Sequence, residues 1–97
     1  MAAAISFAHF ELGQYPEAAA SAKRAAAQNP RSAIVLRLLA ASLAMAGERR
    51  PAADVIKELL KIDPQLTISR HRARLRFLPE AVWRNYAEGL RLAGLPR

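Results

Sequence analysis

Ninety-seven residues with a net charge of +7, no cysteine and only 6% aromatic side chains make one small domain. The hydrophobic share of 53% is rich in alanine, which suits closely packed helices better than a sheet. A core this small does not enclose a large active site, and the missing cysteine excludes disulfides, thiolate nucleophiles and cysteine–zinc sites, as fits a cytoplasmic protein.

The chain opens as MAAAISFAHFELG, which lacks the basic start and the cleavage site of a signal peptide. It reads as a helix over about 1–12 that is already under way, as expected of a piece of a longer polypeptide. Gly13 ends it, because a sharp reversal favours a residue without Cβ. A second helix follows over about 16–28. Pro16 sits in its first turn, where a missing N–H costs nothing, and Ala18 is small enough for a close helix crossing. Asn29–Pro30 stops it.

Ser32 is placed to cap a third helix over about 32–46. Ile34, Leu38, Ala41 and Met45 form one apolar stripe on it, and Leu36, Leu39, Ala40 and Leu43 form its neighbour. A helix apolar on two sides belongs inside a stack of helices. Its apolar run is interrupted by Arg37 and is too short to span a bilayer. Gly47 ends this helix. Pro51 and Ala52 begin a fourth over about 51–61, and Asp63–Pro64 closes it.

These punctuation marks repeat. Gly13 returns as Gly47, Ala18 as Ala52 and Pro30 as Pro64, each 34 residues later. After Pro64 the pattern changes. Residues 66–75 read as a short helix, Phe77–Pro79 as a kink and 79–93 as a longer helix that Gly94 and Pro96 stop. Val82, Trp83, Tyr86, Leu90 and Ala93 form its buried stripe. A repeat array needs such a final element to cover its last apolar face.

The period and the residues that mark it resemble tetratricopeptide repeats. Gly13, Tyr15, Ala18, Ala25 and Pro30 stand at family positions in the first repeat. Leu36, Leu39, Gly47, Ala52, Leu59 and Pro64 do so in the second. The early tryptophan of the family is Ala2 in one repeat and Leu36 in the other, and its turn tyrosine becomes Arg49. The resemblance implies an all-α fold: a right-handed superhelical stack of antiparallel helical hairpins with a C-terminal capping helix. The hairpins span 1–32 and 33–64, and 65–97 is the helical cap.

Two repeats followed by the closing AEGLRLAGLP also resemble the C-terminal region of some bacterial class III adenylate/guanylate cyclases, and the repeat tail of bacterial winged-helix regulators. The first resemblance implies a cytoplasmic signalling protein whose metal-binding and nucleotide-binding residues lie outside this chain.

Within the chain no constellation for catalysis, cofactor or metal emerges. His9 and His71 are isolated. Asp54 and Glu58 lie beside Lys57 and Lys61 as helix-surface pairs, Glu17 reads as a solvated helix face, and no serine has a histidine partner. Two surfaces invite a partner instead. On the family pattern the concave face is lined by Phe7, Phe10, Glu11, Ile34, Arg37, Leu38, Ala41 and Met45. It is either a groove for a peptide or helix, or a face covered by another part of the protein or by the tail.

The second surface follows from charge. Residues 1–64 hold eight Lys/Arg against six Asp/Glu, a balance of +2, and residues 65–97 hold seven Arg against two Glu, a balance of +5. Arg70 with Arg74, and Arg72 with Arg76, make two basic ridges that suit an acidic protein surface. Nucleic acid is disfavoured, since no aromatic residues interleave with them. The expected partners are therefore a protein or peptide, another domain of the parent, or a second copy in a weak homodimer through the N-terminal edge or the concave groove. No membrane partner is expected.

Overall fold

A computed structural model describes residues 2–74 and 78–97. Six helices follow in chain order: α1 (Ala2–Glu11), α2 (Tyr15–Gln28), α3 (Ala33–Met45), α4 (Arg49–Ile62), α5 (Ile68–Arg74) and α6 (Glu80–Ala93). No strand occurs among the described residues. The molecule is an all-helical repeat in which α1 packs on α2, α2 on α3 and α3 on α4.

Local chemistry accounts for the helix ends. Gly13 and Gly47 adopt φ of +76° and +89°, a left-handed backbone that side chains with Cβ resist. At each, the next amide donates back over the last turn, Gln14 N to His9 O at 2.9 Å and Glu48 N to Leu43 O at 2.8 Å, so carbonyls left open at the helix end are satisfied. The Ser32 hydroxyl accepts from Val35 N at 3.4 Å and caps α3. α2 and α4 end at Asn29 and Asp63, one residue before each proline. The helix α4 begins at Arg49, two residues ahead of the expected start, and Pro51 lies in its first turn.

Alanines set the hairpin spacing. Ala18, Ala22, Ala40, Ala41 and Ala52 are fully buried, which lets the helix backbones approach closely. The buried Ser6 hydroxyl donates to Ala18 O at 2.6 Å and ties α1 to α2. The core of Phe10, Leu36, Leu39, Leu43, Ile56 and Leu59 continues without a break into Leu66, Tyr86, Leu90 and Leu95 of the tail.

The helical tail packs back on the repeats: α6 lies mainly on α3, with a smaller contact to α4. α5 touches chiefly α6. Ile68 N donates to Pro96 O at 2.8 Å, which fastens the chain end to the start of α5. The reason is the apolar stripe of α6. It is matched by the second apolar side of α3, which no helix of the two hairpins covers.

The inner face and its helix: the candidate functional site

The residues expected to line the concave face come from α1 and α3, and α6 now lies over them. Phe10, Arg37, Leu38 and Ala41 are buried. Phe7 and Met45 are partly buried against the same core. Ile34 is 66% exposed near the start of α3, and Glu11 is exposed at the end of α1. The tail helix α6 packs on the α3 part of this face.

Two residues of α6 define the fit. Gly89 lies so close to α3 that an added Cβ would stand 2.7 Å from Ala41 O and 3.0 Å from both Ala41 Cα and Met45 Cγ. Backbone cannot yield there, so the position accepts only hydrogen. One turn earlier, the Tyr86 ring packs against α1, with centroids 5.6 Å from Phe10 and 6.4 Å from Phe7. Burial pushes its phenol well above the usual range. The Arg37 guanidinium, which donates a hydrogen bond to the hydroxyl, partly offsets this. Arg37 was expected to line the inner face. It is a buried donor to α6, which accounts for a cation in the middle of an apolar helix.

The arginine ridge of α5 is also put to structural use. Arg72 pairs with Glu80 at 2.8 Å, and its guanidinium carbon lies 5.0 Å from the centroid of the Trp83 ring. Arg70 donates to Gln65 O at 3.2 Å and to Gln65 Oε1 at 3.1 Å. Of the two expected basic ridges, Arg70 stays exposed beside Gln65, and Arg72 is shared with Glu80 and Trp83. The side chain of Arg74, and all of Arg76, lie outside the described residues. His71, read from sequence as an isolated histidine, is buried with its ring 5.9 Å from Trp83 and 5.3 Å from Tyr86. His9 Nδ1 meets Gln14 Oε1 at 2.6 Å across the first turn.

A different basic cluster is assembled by the fold. Arg91 holds both oxygens of Glu88, with Nε to Oε2 at 3.0 Å and NH2 to Oε1 at 2.5 Å. Arg49 and Arg97 add their fields at the same carboxylate and, with Arg91, keep its pKa below the ordinary range. These arginines are far apart in sequence, so no local pattern signals them.

Gly89 did carry a signal. A glycine inside a helix costs about 1 kcal/mol against alanine, and such a position is normally kept for close packing. Arg37 carried the same kind of signal as a lone cation in an apolar run. Among the described residues no group of three His, Asp or Glu could hold a metal ion, and no helix is long and apolar enough to cross a membrane.

Comparison with known families agrees with this architecture. A family model described as tetratricopeptide repeat matches residues 9–75. Neither the curated proteins nor the solved structures yield a match. The matched segment runs from the last turn of α1 to the end of α5 and covers well over half of the chain, which therefore belongs to the tetratricopeptide repeat family.

Proposed function

We propose that this chain is a non-catalytic protein–protein interaction module whose inner face is a seat for an amphipathic helix. Tetratricopeptide repeats generally mediate contacts between proteins, and the seating of α6 on α3 carries the more specific reading. The face offers an aromatic slot between Phe7 and Phe10, a buried donor in Arg37, and a flat stretch at Ala41 that admits glycine. α6 meets all three with Tyr86 and Gly89, and Leu90 fills the space beside them. A partner helix with the same spacing fits by the same contacts.

Fragment complementation tests this. Residues 1–66 are mixed with a peptide of residues 79–97, and anisotropy of Trp83, the single tryptophan, reports binding. Saturable binding that Gly89→Leu in the peptide abolishes is expected. Fragment 1–66 that is helical yet does not bind the peptide overturns the reading.

A finer reading concerns the parent protein. The closing AEGLRLAGLP supports the C-terminal region of a bacterial adenylate cyclase-type signalling protein. Gly89, Leu90, Ala93 and Leu95 of that segment are buried, and Gly94 takes a φ of +104°. The likeness therefore concerns how this helix docks and not a reaction. The alternative, a regulator tail that contacts nucleic acid or an acidic partner through the cap arginines, has less charge to draw on at Arg72, which is paired with Glu80. The coding sequence upstream of this chain, and cyclic nucleotide production from ATP or GTP by the whole parent, decide between them.

A further inference from the structure

Three basic side chains from separate parts of the chain meet on the exposed side of α6. Arg49 comes from the first turn of α4, Arg91 from the last turn of α6, and Arg97 from the segment that follows, and all three are exposed. They converge on one carboxylate. Arg91 holds both oxygens of Glu88, whereas Arg49 and Arg97 act on it only through their fields. Neither Arg49 nor Arg97 makes a hydrogen bond or an ion pair among the described residues. Three guanidiniums against one carboxylate leave a local balance of +2, and Glu48 and Arg50 beside Arg49 offset one another.

The repeat shows that the hairpin does not need Arg49. Its counterpart 34 residues earlier is Tyr15, whose ring packs on Phe10 with centroids 5.1 Å apart. The corner position that feeds the core in the first repeat is a solvated cation in the second. A cation also gains nothing from the dipole at the start of a helix, so the stability of α4 does not explain its place.

Charge names the occupant. Arg91 grips Glu88 through two parallel bonds, the geometry in which a guanidinium receives a carboxylate. Arg49 and Arg97 stand near that pair with their donors open to solvent, as acidic side chains of another protein require. Nucleic acid fits less well. The Glu88 carboxylate lies within the patch and repels phosphates, and Trp83 and Tyr86, the rings of α6, are buried and offer bases no stacking surface.

We propose that Arg49, Arg91 and Arg97 form a docking surface for an acidic segment of a partner protein, whose Asp or Glu side chains pair with Arg49 and Arg97 around the Glu88–Arg91 pair. The surface uses the outer side of α6 in the intact chain, so its test is independent of the fragment experiment on the inner face.

The probe is a fluorescein-labelled hexaglutamate peptide, and its anisotropy is followed as the full chain is added at low salt. Saturable binding that weakens as salt rises is expected. The double variant Arg49→Gln, Arg97→Gln should weaken it at least about fivefold. Lys23→Gln with Lys57→Gln removes the same charge at exposed lysines of α2 and α4, and should change it less than about twofold. Equal losses in the two double variants, or no saturable binding of hexaglutamate, overturn the proposal. So does a labelled oligothymidylate of equal charge that binds more tightly than the peptide and depends on the same arginines.

Discussion

The repeats and the tail are built from the same kind of helix but held by different kinds of contact. From α1 to α4 each helix packs on the next in the chain, and glycines, a serine cap and prolines set where each begins and ends. α6 packs on α3, three elements back, through Gly89, Tyr86 and Leu90. α5, with seven residues, is held mainly through α6 by His71 and Arg72. The first region is thus specified by neighbours in sequence, and the second by the fit of one face to another. Burial of Trp83, Tyr86 and Leu90 contributes about 1.5–3 kcal/mol for each side chain. A contribution of that size makes α6 part of the core.

The largest test of this difference is Gly89→Leu, which puts a side chain into the backbone of Ala41. We expect a loss of about 3 kcal/mol or more in urea unfolding, with Tyr86 and Trp83 becoming exposed. A loss below about 1 kcal/mol would mean that α6 is not pinned at Ala41.

Leu90→Ala in the tail and Leu43→Ala in the repeats should each cost about 3 kcal/mol, and both variants should unfold in one transition, because the core is continuous. Separate transitions followed by Trp83 fluorescence and by circular dichroism would show the tail to be an independent unit.

Gly47→Val follows at about 2 kcal/mol, since valine resists the φ of +89° although nothing crowds its Cβ. Its melting temperature should therefore fall without loss of the contact between Tyr86 and Phe10. Arg72→Met should cost about 1 kcal/mol through loss of the Glu80 pair and the stack on Trp83, and the loss should shrink in high salt.

The smallest effect belongs to Glu88. Its folded pKa is lowered by Arg91 first, so its contribution to stability is present above the unfolded value and is lost as pH falls through the folded one. Glu88→Gln should flatten the melting-temperature profile on that acid side and leave its shape at alkaline pH unchanged. An unaltered acid limb would show that solvent screens the cluster completely.

The sequence made much of the first region legible. Gly13, Gly47, Pro30 and Pro64 mark turns and stops that depend on one or two residues each, so they could be read without knowing what packs where. Most of the buried stripe of α6 was equally legible: Trp83, Tyr86, Leu90 and Ala93 are buried, and Val82 is only half-buried. The candidate site was legible only as a set of residues. Of the eight residues, Phe10, Arg37, Leu38 and Ala41 are buried and Phe7 and Met45 partly so, whereas Glu11 and Ile34 are exposed, and nothing local stated that α6 packs on α3. Arg72 was not distinguishable from its neighbours, because clustering in sequence does not tell a solvated cation from one stacked on a ring and paired with a carboxylate.

The sequence by itself determined the 34-residue period, the helix ends and the apolar side of each helix. These rest on backbone conformation, capping and helical spacing, which act over a few residues. Only the tertiary structure decided that α6 turns back onto α3 and does not extend the stack. It also decided that Gly89 meets Ala41, that Arg37 serves Tyr86, and that Arg49 and Arg97 converge on Glu88. Several apolar faces could have paired in this chain. The choice among them turns on shape and on the satisfaction of buried polar groups across distant segments, and no short stretch of residues contains that information.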